Sequence, residues 1–387
     1  MYSTMNNEFD IIIVGASLVG ASLALALASS GKRIALVDRS SPLGVTTAPW
    51  DTRLYAINPV NRAFLEQLTA WPDMSRIGTI ETIEVHGDRK GYITFSHRDV
   101  GVTALAWVAE SRWMMATLWQ RLVDSDTITL FTNGKPSQLL TTATQVTLTL
   151  DEGQTLTSRV LVAADGADSW VRRMTGLPSH TKSYLQSGVV ANFRCERPHA
   201  NTARQWFLGD SVLAWLPMAG QNISMVWSTP EPERVLALSD DALATTVAGY
   251  GGHSLGAFSL LTPAAAFPLR QIRVPTPHAE RVVLVGDAAH TIHPLAGQGV
   301  NLGLQDAATL ARLMARSDDP GSRMLLRRYE RERREAVMVM HRVCDGLHRL
   351  FHEQQLPAVA WLRNTGLSLV NQLLPIKRQW VRCAVGL

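Results

Sequence analysis

Three carboxylates stand where apolar runs meet glycine or a turn. Asp38 ends Arg33-Ile-Ala-Leu-Val, Asp165 ends Arg159-Val-Leu-Val-Ala-Ala and precedes Gly166, and Asp287 follows Arg281-Val-Val-Leu-Val-Gly286. A carboxylate at the carboxyl end of a buried parallel strand lies where open α/β sheets hold ligands, and it accepts hydrogen bonds from sugar hydroxyls. Past Asp287 come Pro294 and then Gly297-Gln298-Gly299-Val300-Asn301, which open a helical pattern over Leu302–Ala315. Bare backbone at a helix start admits a ligand closely, and its free N–H groups favour negative charge. The bland alternative is a strand–turn–helix whose glycines serve only packing. No Ser/His/Asp or metal-ligand constellation accompanies these residues. His290 and His293 read as parts of the turn, and neither is assigned as a general base.

The elements that must position these groups are readable upstream. Phe9–Val14 predicts a buried strand, and Gly15-Ala-Ser17-Leu-Val19-Gly20 predicts a turn into a helix running to Ser30. Gly31 ends that helix, and the strand closing on Asp38, with Arg39 beside it, completes a βαβ unit. The first and third glycines of the dinucleotide fingerprint are present, and Ser17 replaces the second. Asp38 then suits an adenosine ribose, and Asp287 beside a positive helix end suits the ribityl chain of a flavin. In the Asp51-Thr-Arg53 loop, Arg53 reads equally as a phosphate or ribityl contact and as an ordinary loop arginine. Asp165 and Arg172 either lie near the cofactor or pair with each other to pin their turn.

Further elements follow from periodicity. Helices are predicted over Pro59–Leu68 and Glu110–Val123, and half-buried strands over Ile80–Phe95. Thr127–Phe131, Gln145–Leu150 and Thr155–Thr157 are expected to form a small antiparallel ribbon. From Ser187 to Pro268 short β-type runs recur with Trp206, Trp215 and Trp227, as on a sheet with one face covered. Such aromatics read as core, with a lid over an apolar aromatic substrate as the alternative. Leu325–Phe351 predicts a long helix. Ile376–Leu387 predicts an amphipathic tail in which Lys377, Arg378 and Arg382 alternate with Ile376, Trp380, Val381 and Val385. That tail either packs on its own chain or meets an anionic membrane surface.

Composition sets bounds. With 387 residues and 46% hydrophobic content the chain can bury a large core, and two domains are expected. The net charge of +4 is spread through the sequence, and the dense basic stretch Arg323–Arg349 is interleaved with Glu330, Glu332, Glu335 and Asp345. It reads as a salt-bridged helix face, so nucleic-acid binding is not expected. Cys195, Cys344 and Cys383 are too few and too scattered for a disulfide framework or a metal site, which points to a reducing cytoplasm. The uncharged stretch Ile11–Ser30 has the length of a membrane span. Glu8 and Asp10 before it, and Gly15 and Gly20 inside it, argue for a strand and helix instead.

In order along the chain, Gly15–Gly20 with Asp38, Asp165-Gly166 with Arg172, and Gly286-Asp287 with Pro294 and Gly297–Asn301 resemble the flavoprotein aromatic hydroxylases of the para-hydroxybenzoate hydroxylase fold. Leu284–Gly303, the Asp51-Thr-Arg53 loop, Phe267-Pro-Leu269 and the ending Gly386-Leu387 are similar to the ubiquinone-biosynthesis hydroxylases of the UbiH/UbiF/VisC type. The resemblance implies an α/β fold: a Rossmann-like, glutathione-reductase-type FAD-binding domain, an inserted mainly antiparallel β-sheet substrate domain, and C-terminal helices. The expected divisions are 1–78 with 100–180 and 275–316 for FAD, 79–99 with 181–274 for substrate, and 317–387 for the helical region. It implies FAD as cofactor, NADPH or NADH as reductant, and hydroxylation of a prenylated phenol or quinol by O2 through a C4a-hydroperoxyflavin. A soluble aromatic substrate and a non-catalytic flavin-binding role in a biosynthetic assembly are the alternatives. The expected setting is cytoplasmic, with peripheral contact at the inner membrane and with other ubiquinone-biosynthesis proteins left open. By the same resemblance Asp38 meets the adenosine ribose, Arg53 the FAD chain and Asp287 the ribityl or pyrophosphate part. Gly299, Val300 and Asn301 meet the flavin through backbone, and the Asp165-Gly166 turn serves both FAD and nicotinamide. Gly15, Val19, Gly20, Arg39, Arg172, Pro294, Gly297 and Gln298 complete the expected cofactor set. Ser17 departs from the family pattern, and so does Ser111, which stands where these enzymes usually carry an amide.

Overall fold

A computed structural model describes residues 7–40, 49–88, 91–292 and 297–352, with side chains to 346, and single positions 378, 379, 382 and 386. Pro294 and His293 lie outside the described residues, as does most of the tail. The first layer is a six-stranded sheet in the order His278–Ala279, Val282–Leu284, Val160–Ala163, Ile11–Val14, Ile34–Asp38 and Ile128–Thr132. All its pairings are parallel except the one at the His278–Ala279 edge. Its central strands read as unbroken apolar runs because both faces are covered. On one side lie the helices Leu18–Ala28, Ser111–Val123 and Gly299–Ala315, packed on Ile11, Ile13, Leu36 and Val162. On the other lies a three-stranded antiparallel ribbon, Pro136–Thr141, Val146–Leu150 and Thr155–Ser158, packed on Ile12, Val37 and Leu161.

The ribbon differs from the expected one. The run 128–132 pairs in parallel with Ile34–Asp38 and joins the main sheet, and Pro136–Thr141 takes its place in the ribbon. Periodicity alone cannot say which of two neighbouring apolar edges a strand will extend. A second three-stranded sheet, Leu54–Ile57 with Ala106–Glu110 and Gly78–Ile80, was not anticipated.

The second large layer is a nine-stranded sheet built around the 16-residue strand His180–Cys195. Thr82–His86 and Tyr92–Ser96 join it through a parallel pairing with Thr202–Phe207. Trp206, Trp215 and Trp227 all lie on one face, buried with Val189, Ala191 and Phe193 under the helices Pro232–Leu236 and Asp240–Tyr250. They are core, as their strand context suggested. Because side chains alternate along a strand, the opposite face carries Val190, Val226 and Ala214 in one cross-strand row. These three are only partly buried. Phe267 lies across Gly188 beside them, where a Cβ would come within 2.8 Å of its ring.

The helix Arg323–His352 spans the back of both layers. Tyr329 donates to the Leu284 carbonyl at 3.3 Å, and near the other end Asp345 pairs with Lys182 at 2.7 Å. No helix among the described residues is long and apolar enough to cross a membrane. In the tail, Arg378 and Arg382 are exposed. Gly386 lies beside Val60 and Asn58, an approach that favours packing on the chain.

His341 on this helix is buried, with neither ring nitrogen hydrogen-bonded. Burial, followed by the positive fields of His290 and Arg273, pushes its pKa from 6.5 down to about 4, against the opposing Asp345. The unfolded chain therefore takes up a proton near pH 6.5 that the folded ring refuses until about pH 4. Stability should fall as pH drops through that interval, by about 3 kcal/mol in all. His341→Leu should flatten this part of the thermal-unfolding profile, and an unchanged slope would show that the ring is not held neutral.

Candidate functional site

The strand ends at the top of the six-stranded sheet gather the predicted turns. Gly15 has φ +101°, and a Cβ there would lie 2.3 Å from the Ala164 carbonyl oxygen of the adjacent strand end. A Cβ on Gly20 would lie 1.9 Å from the Gly15 oxygen, so both positions admit only glycine. Asp38 accepts the Ala16 N–H at 2.7 Å through one oxygen and the Ser40 N–H at 2.8 Å through the other. Each oxygen keeps a lone pair for a ligand hydroxyl. Arg39 is exposed just beyond it.

Two helix starts in this region differ from others in the chain. The helices Pro59–Gln67, Trp170–Met174 and Asp240–Tyr250 are capped by the side chains of Asn58, Ser169 and Ser239. The helices Leu18–Ala28 and Gly299–Ala315 have no side-chain cap and no acid in the first turn, although Ser17 and Gln298 stand at the cap positions. Their leading amides are left for an anion or a polar ring edge. Ser17 is exposed with its hydroxyl unspent on capping, which suits a phosphate neighbour. Gly299 and Gly297 leave room for close approach, since among the described residues the nearest atoms to a Cβ would lie at 3.9 and 3.7 Å. Val300 is partly buried behind them against the sheet's core.

Asn301 serves this helix start from inside. Its carboxamide oxygen accepts the Asn58 N–H at 3.0 Å and Asn61 Nδ2 at 2.9 Å, and its Nδ2 donates to the Ala56 carbonyl at 2.8 Å. Its side chain is fully used, so only its backbone is available to a cofactor. Arg172 is likewise turned inward. It donates to the Ala288 carbonyl at 2.8 Å and the Ala167 carbonyl at 2.6 Å, locking the 165–172 turn to the 286–288 turn. It forms no ion pair with Asp165. That carboxylate accepts the Val171 N–H at 3.0 Å, and its pKa is raised by burial against the hydrogen bonds of its own turn. The pairing of these two residues, one of the two expectations, is therefore replaced by a backbone lock. Gly166, with φ +82° and open space around its Cβ direction, is the part of this turn left bare.

Asp287 is different in kind. No described residue hydrogen-bonds its carboxylate, and its pKa is raised by burial, against the fields of His290, Arg53 and Arg270. A half-buried acceptor facing cations, with no bonded partner among the described residues, suits ligand hydroxyls. Arg53 is exposed at the mouth of the same cleft. Its N–H is held by Asp51 at 3.0 Å, and its carbonyl accepts the Ser111 N–H at 2.8 Å. Asp51 in turn is fixed by Glu110, which is buried and accepts the Asp51 N–H at 2.6 Å and Arg76 at 2.6 Å.

Sequence reasoning missed the residue that holds the opening stretch. Asp306 is fully buried and accepts the Gly286 N–H at 2.9 Å, His290 Nε2 at 2.6 Å and Arg333 Nε at 2.7 Å. Val19, one of the expected contacts, is a wedge here, touching the Cβ directions of both Gly286 and Gly303. The signal available beforehand was an acid on the apolar side of a helix, Asp306 among Leu302, Leu310 and Leu313.

These features fit a dinucleotide laid across the strand ends, and comparison with known proteins agrees. Residues 8–343 match the family described as FAD binding domain. The chain belongs to the FAD-dependent hydroxylases of that family. The enzyme is 32% identical over 385 residues to ubiquinone hydroxylase UbiL of Rhodospirillum rubrum, covering 97% of this chain and 89% of the relative. It is 30% identical over 391 residues to 3-demethoxyubiquinol 3-hydroxylase of Escherichia coli, covering 99% and 100%. Among solved structures, Pseudomonas aeruginosa PqsL in complex with 2-aminobenzoylacetate superposes with a TM-score of 0.79 at 20% identity, covering 93% and 99%. That likeness shows the fold. The enzyme binds FAD and acts on a small-molecule substrate with O2.

Asp306 is held well below the usual carboxylate range, at about 2; burial opposes this, and the nearby His290 and Arg333 charges outweigh it. Its contribution to stability is present above pH 3.8 and lost as pH falls toward 2. Asp306→Asn leaves Arg333 buried without its counter-charge and should cost about 3–5 kcal/mol in chemical denaturation, with FAD released at lower denaturant than in the wild type. Adding Arg333→Met should recover part of that loss. Additive damage would show that the two residues act separately.

Proposed function

We propose that the enzyme hydroxylates the aromatic ring of a polyprenylated phenol or quinol in ubiquinone biosynthesis. The observation that carries the substrate class is the partly exposed apolar row Val190, Val226 and Ala214 with Phe267, on the sheet face turned away from the tryptophan core. On that same face Asn192 reaches across to the Asp51 carbonyl at 2.8 Å, so the row looks toward the cofactor loops. An apolar wall of this kind suits a ring with a hydrocarbon tail and excludes water from the reacting centre. The names borne by the relatives, ubiquinone hydroxylase and 3-demethoxyubiquinol 3-hydroxylase, support the same reading.

Within this reading each turn has a task. The Gly15–Gly20 turn with Ser17 takes the pyrophosphate, and Asp38 the adenosine ribose. Arg53 and Asp287 flank the ribityl chain, and the amides of Gly299, Val300 and Asn301 meet the polar edge of the ring. When bound, FAD supplies the redox chemistry with NADPH or NADH and O2. The protein orients the substrate ring, keeps the cleft dry and stabilises charge at the uncapped helix start. The bared Gly166 turn and Arg270, which pairs with Asp168 at 2.6 Å, form the rim where a nicotinamide would approach. A substrate dissolved in the bilayer also calls for surface contact, and the exposed Arg378 and Arg382 are the cations available in the described part of the tail.

Quinone profiling by mass spectrometry in cells lacking the enzyme should reveal one prenylated intermediate short of a ring oxygen. A normal quinone profile would overturn the substrate class. Asp287→Ala should weaken FAD about 10- to 150-fold, from the loss of a charged acceptor worth roughly 1.5–3 kcal/mol. Because the Asp287 pKa is raised, FAD affinity should also decline with acid earlier than an ordinary carboxylate would dictate. Unchanged affinity in the variant would remove Asp287 from the site. Deleting 377–387 should reduce salt-sensitive binding to anionic vesicles while FAD content stays normal; loss of flavin instead would make the tail structural.

A further inference from the structure

Four arginines on the outer face of the helix Arg323–His352 make no ion pair or hydrogen bond with any described residue: Arg323, Arg327, Arg331 and Arg342, all exposed. Interleaved arginine and glutamate predict a salt-bridged face, and part of the helix is one. Glu332 is held between Arg312 and Arg328, Glu330 pairs with Arg334, and Arg333 is spent on Asp306. Against the four unpaired cations, Glu335 is the one acid among the described side chains of this helix left in the same state. Arg323, Arg327 and Arg331 also recur at four-residue spacing, where like charges on a helix repel. The first turn holds no acid, so Arg323 meets the positive end of the helix dipole unopposed. The fold itself offsets none of this, which is the pattern expected where a surface serves a partner.

Apolar side chains stand among these cations. Met324 is 82% exposed, and Val339 and Val343 are 46% and 47% exposed. At 3.6 residues per turn, Met324, Arg331 and Arg342 share one line along the outside, with Arg327 and Val339 about 60° to either side of it. Leu326, Tyr329, Arg333 and Cys344 are buried on the opposite side. An open groove of about 520 Å³ runs between Arg323, Met324, Arg327, Glu330, Arg331 and Arg334, with room for an anionic group among the guanidinium groups. The helix crosses both large layers, from Tyr329 beside Leu284 to Asp345 beside Lys182 of the strand His180–Cys195. A surface meeting its outer face would therefore run along the FAD-binding sheet and the substrate sheet together.

We propose that this face docks the enzyme on an anionic lipid bilayer, with Arg323, Arg327, Arg331 and Arg342 at headgroup phosphates and Met324, Val339 and Val343 at the boundary with the acyl chains. From Arg323 to Val343 the cations and apolar side chains are spread over about 30 Å of helix. So long and shallow a pattern suits a lipid surface, where each cation acts separately and no matching acid has to be placed opposite it. The prenylated-substrate reading supplies the purpose of such docking, and quinone profiling tests that reading by itself.

The test is co-sedimentation of the FAD-loaded enzyme with vesicles of phosphatidylcholine alone and of phosphatidylcholine mixed with phosphatidylglycerol. Wild type should bind the mixed vesicles, release them at high salt, and leave phosphatidylcholine alone unbound. Each arginine should contribute about fivefold, so Arg323→Gln/Arg327→Gln/Arg331→Gln should weaken binding about 100-fold. That variant should keep its FAD and unfold no earlier than wild type, because repulsion at the helix start is relieved. Removing the same charge from other exposed positions, Arg98→Gln/Arg121→Gln/Arg234→Gln, should weaken binding less than about threefold. Absence of wild-type binding to the mixed vesicles overturns the proposal. Equal weakening by the two triple variants does so too, since net charge would then be the cause. Earlier unfolding of the first variant would make the arginines structural and overturn it. The first variant should also act as strongly in a chain lacking 377–387, and an effect that vanishes there would move the docking to the tail. Capture of a poly-glutamate peptide without vesicle binding would name an acidic protein as the partner, and the proposal would fall.

Discussion

A single buried carboxylate governs the geometry of the cofactor cradle. Asp306 receives an N–H from the 286–287 turn, a ring nitrogen from His290 and a guanidinium from the long C-terminal helix. The turn, the Gly299–Ala315 helix and the Arg323–His352 helix are thereby fixed to one another through one side chain. Arg333 also donates to the Leu302 carbonyl at 3.2 Å and to Gln305 at 3.3 Å, so each of its three nitrogens has a partner within the same helix pair. A buried charge so fully partnered is rigid, and rigidity at Gly286 is what keeps Asp287 aimed into the cleft.

From that anchor the cradle spreads by contact. Val19 fills the space above Gly286 and Gly303, which ties the first helix to the third signature. Arg172 spans from the second signature to the Ala288 carbonyl. Asn301 joins the helix start to Asn58, Asn61 and Ala56. Segments separated by up to 245 residues thus meet through polar side chains whose hydrogen bonds are spent largely on backbone. The division of labour is consistent: Arg172, Asn301 and Asp306 hold the turns, while Ser17, Asp38, Asp287 and the uncapped amides remain open to a ligand.

The legible part of the sequence was the part with a local cause. The Gly15–Gly20 turn, the strands ending in Asp38, Asp165 and Asp287, and the tryptophan-lined sheet all follow from spacing and alternation within a few residues. The strand 128–132 was assigned to the wrong sheet because its partner, Ile34–Asp38, lies about ninety residues upstream and leaves no mark on it. Asp306 was passed over for a related reason. On a helical wheel it is one acid on an apolar stripe, and its partners Gly286, His290 and Arg333 are reached only through the fold. Arg172 reads in sequence either as a cofactor contact or as a partner of Asp165, because the carbonyls of Ala288 and Ala167 that it serves are invisible there.

The position of Asp306 also explains why this core tolerates charge. An apolar residue there would pack the two helices equally well, and swaps of buried ion pairs for apolar groups are often stabilising. It could not answer the Gly286 N–H, however. That residue sits at φ +58°, outside the strand before it, and its amide is bonded to Asp306 alone. An apolar neighbour would leave a buried amide without an acceptor, at about 1–3 kcal/mol, and would free the turn to find another conformation. Once a carboxylate is required for the amide, a buried cation is required for the carboxylate, and Arg333 and His290 follow. The charge is a consequence of the left-handed glycine, and the glycine is a consequence of the sharp turn that presents Asp287.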